Sequence, residues 1–117
     1  MSTVKFYFFS PLGRDVTVHK NATLAGIGII RRDLILENNA TLNLTPNAPL
    51  VVGKNLHIAS GAKLVLPSKL PADWAPVLDV RGQITGAFNY PATAHHKIED
   101  GVIFVKDRPV GTLLMVR

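Results

Sequence analysis

Hydrophobic and polar residues alternate in short runs along much of the chain, a pattern that favours β-strands over helices. Three nine-residue segments align without gaps, at residues 16–24, 34–42 and 56–64. The first and third positions of each segment are aliphatic, which is the alternation of a strand with one buried face. The segments begin 18 and then 22 residues apart. A repeated strand–turn–strand unit is therefore predicted.

A tight turn is predicted at the sixth position of each segment. That position holds Asn21, Asn39 or Gly61, the residue types that adopt a positive φ at least cost. An alanine follows the turn and a leucine follows two residues later, which suits a bend over a narrow apolar core. Strand, turn and strand at this spacing predict one side of a coil in a stacked solenoid.

The two ends of the chain depart from this pattern and are expected to cap it. Residues 1–14 include an aromatic strand at 4–9. Residues 89–117 are predicted to form a loop followed by a hairpin, whose two strands lie within 102–116. Caps are expected because a stack of few coils would otherwise expose open strand edges and the core.

The predicted fold is all-β, a single domain over residues 1–117. Residues 15–88 are expected to form three to four coils of a short parallel β-solenoid, with antiparallel capping strands at the ends. Residues 67–76 contain three prolines and are expected to protrude as a loop.

Composition and charge narrow the function classes. The chain is 47% hydrophobic and 18% charged, so it is expected to fold. It contains no cysteine, which excludes disulfides, thiolate metal sites and a cysteine nucleophile. The net charge of +5 allows a polysaccharide or another polyanion as partner, but the basic residues are scattered, and nucleic acid is not expected.

Location is not indicated by the sequence. No apolar run has the length of about 20 residues that a membrane-spanning helix needs, so no membrane span is expected. Residues 1–12 contain one basic residue, Lys5, and no small-residue cleavage site, so they do not predict a signal peptide.

The aligned segments resemble the right-handed parallel β-helices of bacterial adhesins, autotransporter passengers and phage tail proteins. The similarity rests on strings such as Asn-Ala-Thr-Leu-Asn-Leu at 39–44 and Gly-Ala-Lys-Leu-Val-Leu at 61–66. Leu-Asp-Val-Arg-Gly-Gln-Ile-Thr-Gly at 78–86 is similar, more weakly, to bactofilins, which are β-solenoids that polymerise end to end. The resemblance implies a coil of β-structure and no particular chemistry.

Two acids are the candidates for catalysis. Asp15, Asp33 and Asn55 each precede an aligned segment and are expected to stack in a column. On one account they hydrogen-bond the local backbone at strand starts. On the other, Asp15 and Asp33 are the carboxylate pair of a carbohydrate-active enzyme. The account in which the acids hydrogen-bond the backbone is favoured. Loss of polysaccharide hydrolysis in Asp15→Asn or Asp33→Asn would instead support the enzyme.

Aromatic residues are the candidates for binding. Trp74, in the prolyl loop, and Tyr90 could together stack on a sugar ring or a partner protein. The alternative, which is favoured, is that Trp74 folds back and plugs the open side of the coil. The neighbouring His95 and His96 match no metal-ligand spacing, so neither a metal site nor a cofactor is expected.

The function expected from these features is that of a non-catalytic structural or binding module. We expect it to form a homo-oligomer through its aromatic N-terminal strand, as part of a cell-surface or virion assembly. A carbohydrate-active enzyme and an intracellular bactofilin-like polymer remain the alternatives.

Overall fold

Strands make up the regular structure in the described part of the chain. The computed structural model describes residues 3–7 and 14–108, which form thirteen strands and no helix. In chain order the strands are β1 Thr3–Tyr7, β2 Val16–Val18, β3 Thr23–Ile27, β4 Ile29–Ile30, β5 Leu34–Leu36, β6 Thr41–Asn43, β7 Leu50–Val52, β8 Leu56–Ile58, β9 Lys63–Val65, β10 Ala75–Val80, β11 Ile84–Thr85, β12 Ala94–Glu99 and β13 Val102–Asp107. The predicted all-β class is confirmed for these residues.

The strands form three sheets. Sheet A has the order β1-β3-β6-β9, sheet B the order β4-β7-β10-β13-β12, and sheet C the order β2-β5-β8-β11. From β2 to β11 the chain passes through sheets C, A and B in turn, and strands from successive circuits pair in parallel. Among the strands of the described residues, antiparallel pairing is confined to β13 with β10 and β12.

Equivalent positions of the three aligned segments lie side by side. In sheet C, Leu34 pairs with Val16 on one side and with Leu56 on the other. The ninth positions are neighbours in sheet A: Leu24, Leu42 and Leu64. Because the side chains of a strand alternate between its two faces, this register places the aliphatic residues one above another in a shared core.

The turns occur where the asparagines and the glycine predict them. The φ angles of Asn21, Asn39 and Gly61 are 64°, 60° and 82°, which confirms the predicted positive φ. In each turn the next residue, an alanine, donates its N–H to the carbonyl three residues earlier at 2.9 to 3.3 Å, as in a type II turn. A Cβ on Gly61 would collide with Oδ1 of Asn39, so any other residue there would require the Asn39 side chain to move.

The N-terminal strand is confirmed for residues 4–7, but its expected antiparallel direction is wrong. β1 runs parallel to β3, with Thr3 opposite Thr23. It occupies the position in sheet A that a preceding circuit would fill, and successive circuits run in the same direction. Phe8 and Phe9, predicted to belong to this strand, lie outside the described residues.

The C-terminal end of the described chain is an antiparallel hairpin, built from β12 and β13. Glu99 pairs with Val102 across a two-residue turn in which Asp100 and Gly101 have φ angles of 51° and 80°. The loop predicted for this part of the chain is wrong for 94–99. These residues lack apolar alternation because β12 is an edge strand with only Ala94 buried. The hairpin arm predicted beyond residue 108 lies outside the described residues.

The prolyl loop contains no strand from residue 67 to residue 74, in agreement with its prediction. It is attached to the rest of the fold at two points. The side chain of Leu70 is buried, and the carbonyl of Pro71 accepts a hydrogen bond from the N–H of Asp107 at 2.8 Å. The loop therefore lies against the end of β13, and β10 begins directly after it at Ala75.

Candidate functional site

A column of side-chain oxygens follows the strand starts of sheet C. Oδ1 of Asp15 accepts a hydrogen bond from the N–H of Asp33 at 3.0 Å. Oδ1 of Asp33 accepts one from the N–H of Asn55 at 2.9 Å, and Oδ1 of Asn55 accepts one from the N–H of Gln83 at 2.9 Å. Each oxygen therefore holds the backbone of the next strand in the sheet.

The hydrogen-bond partners in this column are not local. The sequence account assigned the oxygens of Asp15 and Asp33 to backbone groups nearby in the chain, and the structure corrects it. The N–H groups they accept from are 18 and 22 residues further along the chain. Parallel pairing explains the difference, because it places the start of the next strand directly beside each side chain.

Both acids also have a basic neighbour. Nε of Arg32 lies 3.4 Å from Oδ1 of Asp15, and Nε2 of His57 lies 3.4 Å from Oδ2 of Asp33. The hydrogen bond from the N–H of Asn55 holds the pKa of Asp33 below its usual value; desolvation opposes this, and His57 adds to it. The general acid of a glycosidase needs a raised pKa, so this environment favours a carboxylate that stays ionised.

Trp74 lies outside the core, over the hairpin. It is 36% exposed, and the ammonium groups of Lys97 on β12 and Lys106 on β13 each lie 4.8 Å from its ring centroid. The buried side chain of the prolyl loop is Leu70 instead. The expectation that Trp74 plugs the open side of the coil is therefore wrong, because the ring covers the outer face of the hairpin.

Tyr90 has different neighbours. Its ring stacks on His96 with the centroids 3.5 Å apart and the planes 4° apart, and it meets Phe88 edge to face at 6.1 Å. Burial raises the pKa of the Tyr90 phenol. Lys97 and His96 are consecutive residues of one strand and point to opposite faces. Trp74 and Tyr90 therefore lie on opposite faces of β12 and do not form the joint platform considered from the sequence.

Large hydrophobic side chains are exposed on strands at the ends of the sheets. Ile29 on β4 is 37% exposed, Val65 on β9 is 38% exposed and Ile98 on β12 is 51% exposed. β4 and β12 are the two outermost strands of sheet B, and β9 is an outermost strand of sheet A. Apolar surface is therefore present at both ends of the stack of strands.

The other side chains considered as metal ligands do not come together in the described part of the chain. Within residues 3–7 and 14–108, no group of three His, Cys, Asp or Glu side chains is arranged to hold a metal ion. His95 and His96 point to opposite faces of β12, as adjacent residues of a strand do. In the same residues, no helix has the length and apolar character needed to cross a bilayer.

The two lysines beside Trp74 were missed from the sequence. A signal was present, because Asp100-Gly101 is a dipeptide typical of two-residue hairpin turns. Recognising it predicts strands on both sides of the turn and places Lys97 and Lys106 on neighbouring strands. Their approach to the ring of Trp74 depends on the path of the prolyl loop, which no repeating pattern in the sequence predicts.

Comparison with known proteins returns no relative. No protein-family model matches the chain, and no curated protein or solved structure is significantly similar to it.

Proposed function

We propose that this chain is a short β-solenoid that acts as a non-catalytic structural module and associates with itself through the strands at its ends. The exposed Ile98 on the outermost strand of sheet B is the observation that carries the proposal. The ordered passage of the chain through three sheets supports a coiled arrangement. The proposal is the same whether the module belongs to a cell surface, to a virion or to an intracellular polymer.

Open strand edges supply the means of association. Among residues 3–7 and 14–108, β4 and β12 are the outermost strands of sheet B, and β2 and β11 those of sheet C. An outermost strand has backbone N–H and C=O groups on its free side, which can pair with a strand of another molecule. Proteins that avoid such pairing place charged residues or proline along the edge. β12 carries two such charges, on Lys97 and Glu99, but an isoleucine, Ile98, is exposed between them.

The environment of the acids supports a structural role over hydrolysis. Asp15 and Asp33 each use a carboxylate oxygen to hold the backbone of the next strand. Asn55 takes the same position in the column with an amide, so the position requires an acceptor and not a charge. A hydrolytic pair would require one carboxyl group that is protonated at working pH, and the lowered pKa of Asp33 favours the opposite.

The test is the oligomeric state of the wild type and of the Ile98→Lys variant, measured by sedimentation velocity over a wide range of concentration. The wild type should sediment faster as concentration rises. Ile98→Lys places a charge on the edge of β12 and should weaken association at least tenfold, which corresponds to about 1.4 kcal/mol. Circular dichroism of the variant should match that of the wild type, because Ile98 is half exposed.

The matched control is Asn43→Lys. Asn43 is exposed on β6, which has a paired strand on each side in sheet A. The control introduces the same charge away from an edge and should associate as the wild type does. A wild type that stays monomeric at every concentration would refute the proposal. Equal weakening of association by Ile98→Lys and Asn43→Lys would show that the edge of β12 is not the interface.

A further inference from the structure

The outer face of the hairpin presents an aromatic ring beside two cations. The Trp74 cluster consists of Trp74, Lys97, Phe104 and Lys106. Nζ of Lys97 lies 4.8 Å from the ring centroid of Trp74 and 5.4 Å from that of Phe104, and Nζ of Lys106 lies 4.8 Å from Trp74. The cluster therefore combines an exposed apolar ring with positive charge at its margin.

The cluster is held in place from several sides. Trp74 directly precedes β10, whose first residue, Ala75, is buried and pairs with Val105 of β13. Lys97 pairs directly with Phe104 across β12 and β13. The hydrogen bond between Pro71 and Asp107 fixes the preceding loop to β13. Because sheet strands and an anchored loop position the ring, little ordering is required when a ligand binds.

The charge of the cluster is not fully balanced. Lys97 forms an ion pair with Glu99, with Nζ and Oε1 3.3 Å apart. Within the described residues, Lys106 forms no ion pair, and His95 is its partner across the two strands. The whole chain has a net charge of +5. An anion that approaches the ring therefore meets at least one ammonium group without a carboxylate partner.

We propose that the Trp74 cluster binds an acidic polysaccharide. The C–H face of one sugar ring packs on Trp74, and carboxylate groups of the polymer accept hydrogen bonds from Lys97 and Lys106. Lysine suits this role because its ammonium group is a mobile point charge that can turn from the ring to the ligand. Lys97 pairs with Phe104 and Lys106 with His95, so the two lysines are diagonal across β12 and β13. Diagonal residues of this kind are about 7–8 Å apart, so the two lysines can contact adjacent parts of one polymer.

A polysaccharide fits this cluster better than single-stranded nucleic acid does. Proteins that bind single strands stack successive bases on several aromatic rings along a basic groove. Here Tyr90 faces the opposite side of β12 and is stacked on His96. One available ring beside two cations matches one sugar unit with its anionic groups. Lys97 and Ile98 both belong to β12, but as consecutive residues of a strand they point to opposite faces, so this site is distinct from the Ile98 surface proposed for self-association.

The experiment uses the only tryptophan of the chain as its own reporter. The intact protein is titrated with polygalacturonate, with dextran as the neutral polymer and with an oligothymidylate as the nucleic acid. Fluorescence of Trp74 should change to saturation with polygalacturonate and stay constant with dextran. Affinity should fall as salt rises, because the contacts to the carboxylates are ionic.

The test variant is the double substitution Lys97→Gln/Lys106→Gln, and its matched control is Lys54→Gln/Lys63→Gln, which removes two exposed lysines elsewhere. The test variant should bind polygalacturonate at least tenfold more weakly, and the control should change affinity less than twofold. The single variant Lys106→Gln should show about half of this loss of affinity on a logarithmic scale. It keeps the test valid if the double variant unfolds.

Three outcomes would overturn the proposal. The first is a wild type whose Trp74 fluorescence does not respond to polygalacturonate. The second is equal loss of affinity in the test and control variants, which would show diffuse attraction by net charge. The third is tighter binding of the oligothymidylate, which would assign the cluster to nucleic acid.

Discussion

The oxygens of single side chains connect neighbouring strands of sheet C at the level of individual residues. Asp15, Asp33 and Asn55 each accept one backbone N–H from the strand that follows in the sheet. The bond to Asp33 is partly buried and the other two are exposed, so the loss of an acceptor costs most free energy at Asp33. Two are carboxylates and one is an amide, which separates the effect of the acceptor from that of the charge.

This separation gives a pH-dependent prediction for Asp33→Asn. At neutral pH the variant should have the same urea midpoint as the wild type, because an amide oxygen can accept the N–H of Asn55. The pKa of Asp33 is lowered in the folded state, so its contribution is present above the unfolded pKa and is lost as pH falls. Below about pH 4 the wild type should therefore become less stable than the variant.

Urea unfolding at neutral pH and at pH values below about 4 measures both parts of this prediction. Asp73→Asn is the matched control, since Asp73 is an exposed carboxylate of the prolyl loop. It should not change the difference between neutral and acid midpoints. Curves for wild type and Asp33→Asn that stay parallel across the pH range would contradict the role assigned to this carboxylate.

At the level of elements, the hairpin of β12 and β13 closes the described end of the chain. Sheet B grows by parallel strands up to β10, and β13 then pairs antiparallel to it. The change of direction requires the tight reversal at Asp100 and Gly101, where both residues have positive φ. A turn of this kind matches the twist of the strands on either side.

Gly101→Ala should therefore destabilise the protein by about 2 kcal/mol, a cost typical of strained backbone. The φ angle of Gly101 is 80°, and an added Cβ would collide with the carbonyl oxygen of Val80. Asp100→Asn is the control and should be neutral, because asparagine tolerates this conformation. Urea unfolding measures both variants, and amide exchange of β12 should quicken in Gly101→Ala. Equal midpoints for the two variants would exclude the turn as a source of stability.

At the level of the whole molecule, both ends of the sheets have outermost strands. Of the strands that the structure describes, β1, β2 and β4 are outermost at the N-terminal end, and β9, β11 and β12 at the C-terminal end. An interface that joins unlike ends leaves a free end on the growing assembly, so it repeats along a filament unless its rotation closes a ring. Association of this kind produces a head-to-tail polymer, whereas an interface between like ends produces a dimer.

We expect head-to-tail association, and the prediction uses the aromatic residues of the N-terminal segment. Changing Phe6 and Phe8 to Ser should weaken association at least tenfold in sedimentation, as Ile98→Lys does at the opposite end. β1 is the outermost strand of sheet A, and these residues lie in or directly after it. The matched control is Asn43→Lys, which should sediment as the wild type does. If only one of the two end variants blocks association, the interface joins like ends.

Much of the strand pattern and the turn chemistry follows from the sequence. Alternating aliphatic positions predicted the buried faces, as in Leu34 and Leu36, because a strand places every second side chain on one face. Asn21, Asn39 and Gly61 predicted the turns, because few residue types adopt a positive φ cheaply. These are local rules, and each depends on a few consecutive residues.

The candidate sites could not be predicted in the same way, because they depend on contacts between distant parts of the chain. Asp33 was identified, but its acceptor role toward Asn55 required the register of parallel strands. Trp74 was identified, but its position beside Lys97 and Lys106 required both the hairpin and the anchored loop. The sequence alone therefore determined the strands, turns and inward faces of the three aligned segments. Tertiary packing decided which polar groups meet, because separations of more than twenty residues along the chain leave no local pattern.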